Sequence, residues 1–229
     1  MVRSLMDFIR YPIYDRQAIL DLCCEVEGWE NLEKALKEST GSVIVLGGHI
    51  GGWEYSGAYL VARGIPLAAV GREQREAAIT ELMLRAREAV GIEHIPRSRH
   101  GNRKLVECLK RKNSVVGLVS DQNAGRNGIF VPLFGKLASS FQGPAFFAIR
   151  YNLPIVPVFA VWKGLKYKML IGDRVEVVRV EDQEESVRLT LTNIQKVYEE
   201  VITKYPDQNL WLHRRWKTRP PEESGASVS

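Results

Sequence analysis

Residues Ser42–Tyr55, SVIVLGGHIGGWEY, constrain this chain more than any other stretch. An uncharged, β-branched run from Val43 to Leu46 follows Thr40-Gly41 and reads as a buried strand. Gly47, Gly48, Gly51 and Gly52 then surround His49, and Trp53-Glu54 opens an apolar-periodic run, YSGAYLVAR, that reads as a helix. Glycine lets such a turn bend sharply and lets another molecule come close. Strand, glycine turn and helix in that order place His49 at the carboxyl end of a strand, where open α/β sheets build their sites.

His49 and Glu54 make an H-x4-E pair. Folded back across the turn, the Glu54 carboxylate would reach one imidazole nitrogen and fix its tautomer, leaving the other as a general base. With 27 acidic residues in the chain, that spacing also arises by chance, so the setting carries the reading more than the spacing does. His94, His100 and His213 lack both the glycine turn and an acid five residues on.

The 229 residues fit one α/β domain, long enough to bury a core without disulfides. Cys23, Cys24 and Cys108 are odd in number and show no C-x-x-C spacing, which suggests a reducing compartment and neither a zinc site nor a disulfide frame. A net charge of +5 favours anionic partners without choosing among them. No signal peptide or membrane-spanning run is visible.

Residues 1–40 read as helical, with Leu5, Phe8, Ile9, Ile19, Leu20 and Leu22 at helical spacings, a face suited to the core or to a membrane surface. Further strands are expected at 66–70, 93–96, 114–120, 154–161 and 166–171, with 174–178 turning back antiparallel to the last of these. Helices are expected at 74–90, 101–112, 143–151 and 184–204. Arg72 and Asp121 each follow a strand, as His49 does, so a parallel sheet would bring all three to one cleft. Arg72 would clamp a phosphate or carboxylate, or else pair with Glu73 or Glu76. Asp121, with Gln122 closing the strand, would touch substrate or brace Arg72, or else cap a turn. Phe130 and Phe134 would lend apolar surface to a bound substrate, or else belong to the core. The tail 220–229 is expected to be disordered.

Three ordered blocks carry a resemblance. GGHIGGWE resembles the H-x4-D/E block of glycerolipid-type acyltransferases, closest to the lauroyl and myristoyl acyltransferases that complete lipid A. Here Ile50 and Gly52 stand at the variable places of that block. DQNAG with GIFVPLFG, and then NLWLHRRWK, are similar to later blocks of the same family, and the likeness spans roughly residues 1–219. It implies a single domain, a mixed central β-sheet flanked by helices. The implied reaction takes a fatty acyl group from a thioester, on acyl carrier protein or coenzyme A, to a hydroxyl of a lipid A precursor or related glycolipid. His49 would be the base, Glu54 its orienter, and Arg72 matches an arginine of the family. The resemblance also implies a peripheral protein on the anionic cytoplasmic face of the inner membrane. Such proteins usually carry an N-terminal hydrophobic anchor; none is visible here, which implies a short or truncated member. The reading calls for no metal, no cofactor and no nucleic acid. Its rival is a non-enzymatic basic module that binds anionic lipid or nucleic acid.

Overall fold

Apolar runs too uniform to have a wet side need cover on both faces, and the chain supplies it with helices. The computed structural model describes residues 2–71 and 76–223. In chain order the strands are β1 (Cys23–Glu27), β2 (Val43–Gly47), β3 (Leu67–Gly71), β4 (Glu93–Pro96), β5 (Val115–Val119), β6 (Ile129–Leu133), β7 (Lys136–Ser140), β8 (Ile155–Lys163) and β9 (Lys166–Ile171). All but β6 and β7 share one sheet, in the order β1-β9-β8-β2-β5-β3-β4. The β8–β9 pair is antiparallel and the others are parallel, so the sheet is mixed.

Side chains alternate along each strand and sort the core into two layers. Val43 and Val45 pack with α1 (Val2–Arg10), α2 (Arg16–Asp21), α3 (Trp29–Glu38), α4 (Trp53–Ala62) and α5 (Ala77–Ala89). Ile44 and Leu46 point the other way, to α6 (Arg99–Leu109), α7 (Gly143–Tyr151) and α8 (Gln183–Lys204). The link leaving β2 therefore runs to one face and the links leaving β5 to the other. A crevice opens between the carboxyl ends of two adjacent strands whose connections diverge in this way. Gly47 pairs with Val119 in the β2–β5 register, which brings residues two positions beyond each strand level with one another.

Several expectations change. Within the helical N-terminal stretch, Cys23–Glu27 is an edge strand, paired in parallel with β9. Lys168 reaches across to Glu25 and Glu27 there, so cross-strand charge supports a segment with little apolar signal. Residues 174–178 form no strand, only the bridge of Val175 to Ile155, because β9 is already paired on both sides. The stretch after Gly128, for which no element is expected, is the antiparallel hairpin β6–β7. Of the tail expected to be disordered, residues 220–223 hold a 3-10 turn at Pro221–Glu223 with Pro220 buried, and 224–229 lie outside the described residues.

Candidate active site

His49 sits in a turn that only glycine can make. Gly51 has φ +56°, and a Cβ on it would stand 2.2 Å from the Ala160 carbonyl oxygen. A Cβ on Gly52 would stand 2.2 Å from Tyr167 Cε1. The backbone is thus pressed against β8 and β9, and the Gly52 N–H donates to Ala160 O at 2.7 Å. The Tyr198 hydroxyl of α8 pins the two strand ends from beneath. It donates to Gly47 O at 2.8 Å and lies 2.9 Å from Ser120 Oγ. Burial raises the Tyr198 phenol well above its usual value, so this pin stays protonated.

The carboxylate that holds the imidazole comes from the neighbouring strand. Asp121 Oδ1 lies 2.8 Å from His49 Nδ1, and Asp121 Oδ2 accepts the His49 backbone N–H at 2.7 Å. Accepting from Nδ1 puts the ring proton there and leaves Nε2 as a lone-pair acceptor. Gln122 Nε2 stands 3.5 Å from that atom, too far for a strong bond. The Trp53 ring lies beside the imidazole, centroids 5.2 Å apart. At 22% and 11% exposed, the two side chains are sheltered yet reachable.

Glu54 does not make the expected contact with His49. Helix α4 turns its carboxylate toward α5, where Arg87 grips it in bidentate fashion at 2.6 and 3.1 Å. Strand register therefore supplies His49's partner, and the i, i+5 spacing does not. Both members of the Glu54–Arg87 pair are nearly buried, and Arg87 Nη1 also lies 3.2 Å from His94 Nδ1. Arg72 lies outside the described residues.

A cavity of about 40 Å³ adjoins the His49–Asp121 pair, lined in part by Asp121, Gln122, Leu133, Phe134, Trp211 and His213. Phe134 stands at the tip of the β6–β7 hairpin with φ +51°, 45% exposed, its backbone N–H donating to Glu199 on α8. Phe130 is half-buried opposite Ser139 in that hairpin and does not line the cavity. Below the cavity the buried Arg215 donates to Ser139 O at 2.6 Å and Ser140 Oγ at 2.7 Å. Burial lowers its pKa, while the nearby Asp121 opposes that. Sequence reasoning missed Arg87, Tyr198, His213 and Arg215. His213, within NLWLHRRWK, has neither a glycine turn nor an acid five residues on, so no local signal singles it out. Nothing in α5 or α8 distinguishes Arg87 or Tyr198 from its neighbours. No cluster of three or more metal-ligating side chains occurs among the described residues.

An imidazole braced by a carboxylate thus stands at the switch point of a mixed α/β sheet. The chain belongs to the bacterial lipid A biosynthesis acyltransferase family, whose model matches residues 1–218. It is 29% identical over 166 residues to the phosphatidylinositol mannoside acyltransferase of Mycobacterium tuberculosis, covering 71% of this chain and 52% of that one. It is 28% identical over 210 residues to the lipid A biosynthesis palmitoleoyltransferase of Escherichia coli, covering 89% and 65%. With the lipid A biosynthesis lauroyltransferase of the same organism, identity is 32% over 120 residues, covering 51% and 38%. The chain spans between 38% and 65% of the length of these three relatives.

Proposed function

We propose that this chain transfers a fatty acyl group from an acyl thioester to a hydroxyl of a glycolipid, with His49 as the general base and Asp121 as its orienter. The observation that carries the reading is the double grip of Asp121 on His49, which leaves the Nε2 lone pair with only the long contact from Gln122. The acceptor hydroxyl gives its proton to Nε2 as its oxygen attacks the thioester carbonyl. Collapse of the tetrahedral intermediate expels the thiolate, which takes the proton back and leaves as a thiol. Asp121 stabilises the imidazolium in between. No covalent enzyme intermediate is needed, since the hydroxyl attacks directly.

Family membership supports the acyl group and the lipid acceptor, and the relatives' names supply two acceptor types, lipid A precursors and phosphatidylinositol mannosides. The cavity has space for a few waters, so an acyl chain would lie across its apolar mouth or push aside Phe134. The donor would be acyl carrier protein or coenzyme A. The first would find cations at the end of α6, where Lys110 and Lys112 make no ion pair among the described residues. The site edge would face an anionic membrane, the cytoplasmic leaflet of the inner membrane if lipid A is the product. Arg72 remains the proposed anion clamp, and Glu54 braces α4 against α5.

The deciding experiment incubates purified protein with acyl-carrier-protein and coenzyme A thioesters and lipid extract. Product is read by mass spectrometry and thiol release by absorbance. Acylated glycolipid should form with the wild type and not with His49→Ala. Equal product from both would end the proposal, and lipid binding without turnover in either would favour the non-enzymatic rival.

A further inference from the structure

The segment after α8 crosses the crevice and is tied to both halves of the dyad. On the His49 side, Leu210 N–H donates to His49 O at 3.1 Å and Gly51 N–H donates to Gln208 O at 2.9 Å. The Gln208 amide also clamps Trp162, accepting from its N–H at 2.7 Å and donating to its carbonyl at 3.1 Å. On the Asp121 side, Thr218 Oγ1 donates to Asn123 Oδ1 at 3.0 Å, and Arg215 anchors the segment in the β6–β7 hairpin. Between these anchors His213 Nε2 accepts the Asn123 backbone N–H at 2.8 Å.

That one bond fixes the chemical state of His213. A ring nitrogen that accepts cannot carry a proton, so the imidazole is neutral with its hydrogen on Nδ1. Burial lowers its pKa in the same direction. Of the charged groups facing it, Asp121 from β5 favours protonation, while Arg215 on its own segment and His49 from the β2 turn oppose it. Asn123 lies only two residues beyond Asp121. A shift of that short loop displaces the carboxylate, and both bonds to His49 go with it.

We propose that His213 is a positioning residue of the acyl-transfer site: its neutral imidazole latches the Asp121–Asn123 turn to the C-terminal segment and so keeps Asp121 aligned on His49. This rests on the reading of His49 and Asp121 as the working pair. His213 touches neither reacting atom, and its effect runs through Asp121 alone.

The test compares His213→Leu with His213→Gln in the full chain. Glutamine places an amide oxygen near the position of Nε2 and restores the acceptor; leucine fills the space without one. In the wild type the His49 Nδ1–H proton, held by Asp121, should give a slowly exchanging downfield resonance. That resonance should be lost in His213→Leu and return in His213→Gln, with far-ultraviolet circular dichroism unchanged in both. In the thioester assay kcat should fall roughly 10- to 100-fold in His213→Leu with KM within about twofold, and His213→Gln should recover most of the loss. An intact resonance and wild-type kcat in His213→Leu would overturn the latch, and so would a glutamine variant as impaired as the leucine one. His49→Ala separates the two readings. If it is inactive while His213→Leu is fully active, the latch alone fails; if it is active, the base assignment fails.

Discussion

Asp121 grips His49 twice, through the ring and through the backbone, and an amide in its place can satisfy only part of that demand. Asp121→Asn keeps one acceptor, offers an N–H₂ where a second acceptor is needed, and removes the charge that stabilises an imidazolium. We expect kcat to fall roughly 10²-fold or more in Asp121→Asn, and by up to about 10⁴-fold in His49→Ala, with little change in either KM. Glu54→Gln, its partner being Arg87, should leave kcat within several-fold of wild type at temperatures where it is folded. If it instead lost as much as His49→Ala, Glu54 would return to the chemistry. The residue scale also sets a pH dependence. Burial holds His213 below its usual value of 6.5, so between that value and the lower folded one the unfolded chain binds a proton that the folded chain refuses. The stability this contributes is complete above pH 6.5 and is lost as pH falls through that window. Urea unfolding from about pH 7 to about pH 5 should therefore cost the wild type more stability than His213→Gln, which does not titrate there. Equal losses would place the sensitivity elsewhere. The place of His49 was legible in the chain because glycines mark a turn by composition. Its partner was only half legible: Asp121 stood out at a strand end, but no local spacing reports that β2 and β5 are neighbours.

At the scale of elements, the Glu54–Arg87 pair joins α4 to α5 behind the site, with side chains 13% and 11% exposed. Breaking one member leaves the other charge buried and unpaired, which typically costs about 3–5 kcal/mol. Arg87→Met should accordingly lower the midpoint of thermal unfolding sharply, and Glu54→Gln combined with Arg87→Met should recover much of it. No recovery in the double variant would mean that the arginine acts through His94 instead. The β6–β7 hairpin makes the opposite prediction. Its turn places Phe134 at φ +51° ahead of Gly135 at φ +71°, a shape in which asparagine before glycine is favoured and a bulky aromatic is strained. Phe134→Asn should raise stability by about 1 kcal/mol in urea unfolding while raising KM for a long-chain thioester. Stabilisation with unchanged KM would remove Phe134 from the acyl path. The strands with uniform apolar runs, β2, β5 and β8, were legible because both of their faces are buried. The edge strand β1 was not, since CCEVE has no buried residue and is held by charge and backbone pairing. The hairpin hid for a related reason, since Pro132 interrupts the strand run and Phe134 stands where asparagine or aspartate usually precedes the turn glycine.

At the scale of the whole molecule, exposed apolar side chains gather at the edge that carries His49. Phe134 on the hairpin and Trp211 on the C-terminal segment line the cavity, and Leu212 beside them is 81% exposed. Helix α1 joins this edge through Ser4, whose hydroxyl donates to Gly51 O at 2.9 Å, and it leaves Leu5, Met6 and Ile9 in solvent. No helix among the described residues is long and apolar enough to cross a membrane. On the proposed reading of a lipid acceptor, these side chains would enter the bilayer interface and the net charge of +5 would draw the protein to anionic headgroups. Two components of binding then respond differently. The electrostatic one is screened over about 8 Å near physiological ionic strength and fades with added salt. The apolar one survives salt and depends on single residues. Co-sedimentation with vesicles should fall as anionic lipid is removed or salt is raised, and Leu212→Glu should weaken binding at every salt concentration without altering the fold. Binding that ignored both lipid charge and the Leu212 substitution would put the membrane contact on another face, and the crevice would then have to receive its acceptor from solution.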